Sequence, residues 1–162
     1  GEAILDALSY DDHVVIEQWI EGVELAVSVI GTGWDAHALP PVEIVPKRGL
    51  YDTAARMDAS LVDYYAPVRN ESLSSNEADA QAIRAEIERA VLEVYRAYGL
   101  RDLGRIDLIW DGAQARVMET NVSPGMTETS LFPAACKAGG LSLSAVLNEL
   151  VSNAKERGAV FC

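Results

Sequence analysis

Residues 104–121, GRIDLIWDGAQARVMETN, restrict the fold more than any other part of this chain. Two short runs rich in apolar residues flank an Asp-Gly step, the pattern of two antiparallel strands joined by a turn. Each run also carries polar groups at two-residue spacing: Arg105 and Asp107 on the first, Glu119 and Asn121 on the second. Residues two apart on a strand point to the same face, so each pair shares one. Carboxylates in such surroundings are costly unless they are paired or metal-bound.

Whether the two pairs share one face depends on register. With Asp107 opposite Glu119, Arg105 falls opposite Asn121 and all four converge. That register calls for an odd number of turn residues, such as three around Gly112; a slip of one sends one pair to the far side. In the convergent register two carboxylates stand face to face, an arrangement that needs a cation between them. A divalent ion with oxygen ligands fits, Mg²⁺ first and Mn²⁺ almost as well. Zinc fits poorly, because His13 and His37 are remote in sequence and Cys136 stands alone. A solvated hairpin face with ordinary surface ion pairs competes with the metal reading, and spacing alone does not separate them. The following NVSPGMTETSLFP weighs toward the metal: a glycine turn running into a helix start leaves backbone N–H groups for an anion. Metal ligands, an anion nest and an arginine together suggest phosphate chemistry.

The rest of the chain reads as α+β. EAILDALSY has helical spacing and stops near Asp11 and Asp12, while HVVIEQWI and LAVSVIGTG, separated by EGVE, predict a β-hairpin. ALPPVEIVP predicts a strand with its prolines at the ends or on an edge. Residues from 47 to about 75 show no sustained period and predict a long loop. From 76 to 98 a stripe of Ile83, Ile87, Ala90, Val91, Val94 and Tyr98 predicts a long helix, capped by Ser74 or Ser75 and ended by Gly99. Two shorter helices follow, at about 130–138 and 142–154.

The 162 residues, 49% hydrophobic and 23% charged, suit one globular domain. No apolar run nears the roughly 20 residues of a membrane span, and no basic-then-apolar leader opens the chain. Cys136 and Cys162 show no paired spacing, so a reducing cytoplasm is the expected setting; Asn70 begins a glycosylation triplet, but nothing else argues for secretion. The net charge of −12 argues against nucleic acid as a partner. It also means that an anionic ligand needs metal ions or basic residues from elsewhere. The opening GEAILDALSYDD, with no initial methionine, fits a piece of something longer.

VVIEQWIEGVE, ALPPVEIVP, LYDTAAR, GRIDLIWD, METNVSPGMTETSLFP and KAGGLSLSAVLNELV occur in the order and approximate spacing of one family. Together they span nearly the whole chain, which resembles the C-terminal part of the D-alanine–D-alanine ligases, ATP-grasp enzymes of bacterial cell-wall synthesis. The resemblance implies an antiparallel sheet flanked by helices over residues 13–162, the C-terminal ATP-grasp lobe, with residues 1–12 ending the preceding lobe. It implies that ATP phosphorylates one D-alanine and that the amine of a second attacks the acyl phosphate, with two Mg²⁺ ions holding the phosphates.

Carried over position by position, Asp107, Glu119 and Asn121 become metal ligands, and Arg105 and the Gly125 N–H stabilise the oxyanion. Ser130 and the Leu131 N–H hold the second carboxylate. Backbone groups near Gln18 and Ile20 read adenine, with Glu17 close by, and Glu24 takes the ribose hydroxyls. The segment from Tyr51 matches a loop that covers the active site, with Arg56 facing the γ-phosphate; many relatives have Tyr where this chain has Met57. Trp34, Trp110, His13 and His37 inherit no role and are expected to be structural or superficial. The family's N-terminal domain, phosphate loop and paired lysines have no counterpart here. The expected partners are ATP and D-alanine, with a homodimer allowed for the full-length enzyme. The rivals are another ATP-grasp ligase making a depsipeptide or a different dipeptide, and a silent nucleotide-binding module.

Overall fold

The computed structural model describes residues 1–51, 53, 55 and 58–158. Arg56, Met57 and Cys162 lie outside the described residues, and so do the expectations attached to them. Helix α1 (Glu2–Leu8) is followed by an irregular stretch and then by β1 (Val23–Ile30), β2 (His37–Ala38), β3 (Val42–Pro46) and β4 (Val62–Tyr65). Helices α2 (Asn70–Leu73) and α3 (Glu77–Ala97), strands β5 (Leu103–Trp110) and β6 (Ala115–Asn121), and helices α4 (Leu131–Ala138) and α5 (Leu143–Arg157) complete the order. The sheet is antiparallel throughout, ordered β4-β3-β1-β5-β6, with β2 pairing the far end of β1.

The two sheet faces have different coverings. Leu25, Val27 and Val29 of β1 and Ile106, Leu108 and Trp110 of β5 pack against Ile87, Val91 and Tyr95 of α3. Ala26, Ile30, Val42, Ile44 and Val62 face the other way, against Leu131, Phe132, Ala135 and Cys136 of α4 and Val146 of α5. Helix α4 covers only part of that second face. The end that carries Glu24 and Asp107 stays open.

Several expectations need correction. No strand forms at residues 13–21; Val15, Ile16 and Trp19 are exposed there, because no described strand lies alongside to complete a ladder. At the entry to β1, a Cβ on Gly22 would come within 2.2 Å of the Trp110 carbonyl oxygen, so only glycine lets the chain pass β5 so closely. The expected long loop contains a 3-10 turn, β4 and α2; VDYY is too short a run to stand out by period. Asn76, not a serine, caps α3, its Oδ1 accepting from the N–H groups of Ala78 and Asp79. The buried stripe of α3 is Ala80, Ile87, Val91 and Tyr95, while Tyr98 is exposed. The last correction, in the β5–β6 turn, bears on the site.

Glu43 holds α2 to the sheet. It is 3% exposed and directly opposite Tyr65 in β4. Its carboxylate accepts from Arg69 Nε at 3.0 Å, Arg69 NH2 at 2.7 Å, the Arg69 backbone N–H at 3.2 Å and Ser72 Oγ at 2.7 Å. The Arg69 guanidinium also lies over the Tyr65 ring, 3.9 Å from its centre. Burial alone would raise the Glu43 pKa, but the bonds from Arg69 and Ser72 outweigh it and hold the carboxyl below its usual value. Arg69→Met should therefore cost about 3 kcal/mol, the scale of leaving a buried charge unpaired, as read by chemical denaturation. Because the folded pKa is depressed, this stabilisation is present above about pH 4.5 and fades as pH falls through the folded value. The advantage of the parent chain over Glu43→Gln should shrink in that acid range.

Candidate functional site

Strands β5 and β6 put Asp107 opposite Glu119 and Arg105 opposite Asn121, so the four groups converge on the open face. The route differs from the one expected. The turn has four residues, 111–114, not three, since Trp110 pairs with Ala115. Asp111 Oδ1 accepts from the N–H groups of Ala113 and Gln114, both at 2.9 Å, and Oδ2 takes Arg116 Nε at 2.7 Å.

An even turn alone would leave Glu119 on the wrong side. Leu108 pairs with Val117 and Asp107 with Glu119, so Met118 is an inserted bulge residue. Ala115, Val117, Glu119 and Asn121 share one parity, and a regular strand would point all four the same way. The bulge separates them, leaving Ala115 beside the α3-side core and Glu119 and Asn121 on the site face. That parity conflict, apolar then polar at unbroken two-residue spacing, is the sequence signal that could have revealed the bulge.

Arg105 is 6% exposed and grips Asp107 with both arms, Nε to Oδ1 at 2.7 Å and NH2 to Oδ2 at 2.8 Å. Its NH2 is also 4.0 Å from Glu119. Burial opposes the charge on Arg105, yet Asp107 and then Glu119 outweigh it and raise its pKa. On β1, burial and then the charge of Asp107 push the Glu24 carboxyl up to about 7.

The turn after β6 brings Ser130 back against Gly125. Ser130 Oγ accepts from the Thr127 N–H at 3.2 Å and lies 2.7 Å from Thr127 Oγ1. A Cβ on Gly125 would come within 2.7 Å of that Oγ, so the glycine allows the approach. Ser130 stands just before the first turn of α4, where Leu131 begins the helix.

These groups line one cleft of about 1250 Å³. Glu17, Gln18, Ile20, Glu24, Arg105, Asp107, Glu119, Asn121, Gly125, Ser130 and Leu131 all border it, every candidate residue that falls among the described ones. Sequence reasoning overlooked Met118, which borders the cleft beside Glu119, and the phenol pair Tyr51–Tyr64, whose hydroxyls are 2.7 Å apart on its wall. A smaller cavity of about 400 Å³, between the end of β1 and α5, touches none of the candidates. Trp110 is core, and Trp34, His13 and His37 are exposed. Asp11, Asp12 and His13 cluster on the exposed surface, away from the cleft.

Asp107, Glu119 and Asn121 offer hard oxygen donors from facing strand positions, and no described His or Cys borders the cleft. This set fits Mg²⁺ or Mn²⁺. Asn121 Oδ1 accepts from the Ser123 N–H at 2.9 Å, and an amide oxygen keeps a second lone pair for a cation.

Residues 1–152 match the family model described as D-ala D-ala ligase C-terminus. The chain belongs to this family. It is 39% identical to a D-alanine–D-alanine ligase of Bordetella petrii, covering 94% of this chain and 44% of that protein. A D-alanine–D-alanine ligase of Desulforamulus reducens is 35% identical, with 97% of this chain and 47% of that protein covered. The chain thus spans somewhat less than half the length of these relatives. The crystal structure of the D-alanine–D-alanine ligase from Bacillus anthracis complexed with ATP superposes with a TM-score of 0.70 and 25% identity, over 97% of this chain and 49% of that one. The VanG D-Ala:D-Ser ligase of Enterococcus faecalis superposes with a TM-score of 0.73 and 26% identity, over 93% and 41%. The family's ATP-grasp architecture is the α+β sheet described above.

Gly125→Ala should turn Ser130 Oγ away and break its bonds to Thr127 with the fold retained, an outcome a crystal structure checks. Glu24 gives a pH test in metal-free, nucleotide-free protein. With its folded pKa raised, its contribution to stability is complete below about pH 4.5 and is lost as pH rises toward about 7. Measured against Glu24→Gln, the parent chain should lose ground across that interval and show a constant gap above it.

Proposed function

We propose that this chain is the metal- and nucleotide-binding part of an ATP-dependent ligase that joins two D-alanines for peptidoglycan synthesis in the cytoplasm. The observation that carries the reading is the convergence of Arg105, Asp107, Glu119 and Asn121 on an open sheet face beside Gly125 and Ser130. In this reading Asp107, Glu119 and Asn121 hold Mg²⁺, which when bound neutralises phosphate charge and orients the phosphates. The first D-alanine carboxylate attacks the γ-phosphorus, ADP leaves, and an acyl phosphate forms. The amine of the second D-alanine then attacks the acyl carbon, and phosphate departs with the C–O bond electrons as the amine gives up its proton. Arg105 and the Gly125 N–H meet the oxyanion of that addition. Ser130 Oγ and the Leu131 N–H orient the second carboxylate.

Gln18 and Ile20 offer backbone groups to adenine, with Glu17 nearby, and Met118 supplies an apolar surface to the same cleft. Glu24 accepts from the ribose hydroxyls, most strongly in its ionised form. Arg56 is assigned to the γ-phosphate. Residues 1–12 are assigned to the preceding lobe; α1 buries none of its residues, as suits an element whose packing partner lies elsewhere.

In the full-length enzyme, Glu119→Gln or Asp107→Asn should abolish turnover while the circular dichroism spectrum is retained. Near-normal rates at limiting Mg²⁺ would remove the metal assignment. Arg105→Ala should lower kcat at least about 100-fold, the scale of a lost oxyanion donor, and far more than it raises KM for ATP. The D-Ala:D-Ser activity in the name of one structural neighbour makes the second substrate a direct question. D-alanine, D-serine and D-lactate offered in competition at neutral pH should give mainly D-alanyl-D-alanine. Predominance of either other product would reassign the acceptor.

A further inference from the structure

Asp107 and Glu119 face each other on adjacent strands, an arrangement that repels unless a positive charge serves both. Here that charge is Arg105. The same guanidinium binds both oxygens of Asp107 and reaches to 4.0 Å from Glu119, so it stands where a cation shared by the two carboxylates would stand. On the other side of Arg105, directly opposite it on β1, is Ser28. Ser28 is 1% exposed and its hydroxyl has no hydrogen-bond partner. A buried hydroxyl without a partner is costly, and this one can accept from a donor that moves toward it.

We propose that Arg105 is a counter-ion with two stations: it neutralises Asp107 and Glu119 until a divalent cation binds them, and is then displaced toward the Ser28 hydroxyl at its buried side. This inference rests on the metal reading of Asp107 and Glu119 given above. Two like charges compete for one pair of carboxylates, so metal binding weakens the Arg105–Asp107 pair. By thermodynamic reciprocity, the pair weakens metal binding by the same factor. The released guanidinium keeps N–H groups free for an anionic substrate oxygen. Ser28 is thus a positioning residue, acting through Arg105. The arrangement favours metal before acyl acceptor, since only the displaced arginine is free to receive the substrate oxygen.

The test is Mn²⁺ affinity of the full-length protein without nucleotide, read from the free-ion electron paramagnetic resonance signal. Glu119→Gln should weaken binding, whereas Arg105→Met should tighten it about tenfold, mid-range for coupling between sites. Ser28→Ala should weaken binding a few-fold with the fold unchanged, because the displaced arginine loses its acceptor. If Glu119→Gln weakens binding but Arg105→Met does not tighten it, the metal site stands and the antagonism is wrong. If Glu119→Gln changes nothing, the metal reading fails and this inference fails with it. A Ser28→Ala variant with parental affinity would overturn the second station. Should Arg105→Met not fold, the parent protein decides by NMR. The Arg105 Nε–H resonance, downfield in its bond to Asp107, should move upfield on saturation with Mg²⁺. An unmoved resonance overturns the displacement.

Discussion

The two-armed grip of Arg105 on Asp107 lets a sheet interior carry acid at all. Asp107 sits on β5, between β1 and β6, and Glu119 faces it from the neighbouring strand. Without a cation those carboxylates would drive the hairpin apart or force another register. With it, β5 can pair along its full length with β1, and Leu108, Ile106 and Trp110 can turn their opposite face to α3. The partition of the domain follows from this: a dry face under a long helix, and a charged face that α4 covers only in part. Chemistry gathers where the second face stays open.

The same division explains why the site is built at an edge. β6 pairs with β5 alone among the described strands, so it can bulge without disturbing a further neighbour. Bulges concentrate at edges and beside active sites because they redirect a side chain locally. The bulge at Met118 brings Glu119 to the face that Met118 already occupies, so an apolar side chain lies in the cleft next to the acidic pair.

Much of this was legible in the sequence because period and parity carry it. The spacing of Arg105, Asp107, Glu119 and Asn121 gave two shared faces, and the 3.6-residue period gave α3. What escaped depended on neighbours or on single residues. VVI in residues 13–20 has strand propensity, but propensity without a ladder partner leaves it irregular, with Val15 and Ile16 exposed. VDYY forms a strand because β3 offers a free edge, which four residues cannot announce. Asn76 takes the cap position because its Oδ1 reaches the Ala78 and Asp79 amides, whereas Ser74 Oγ bonds the Asn76 N–H instead. The convergent register was foreseen for the wrong count of turn residues; a four-residue turn and one bulge together do the work of an odd turn. They also keep Arg116 off the core side of Trp110. Arg69 and Glu43 were unreadable as a pair, since 26 residues separate them.

The bulge at Met118 also stores slack in the length of the chain. Removing one residue from the tip at 111–114 need not move anything beyond Asp107, since the ladder could straighten through Met118 and keep Glu119 opposite its partner. The cost would fall on residues 115–118, which would change sides, Val117 toward the cleft and Met118 toward the α3-side core. A one-residue deletion at this hairpin tip is therefore buffered from the acidic pair. The tip is the natural place to shorten the chain by one residue or to graft a reporter.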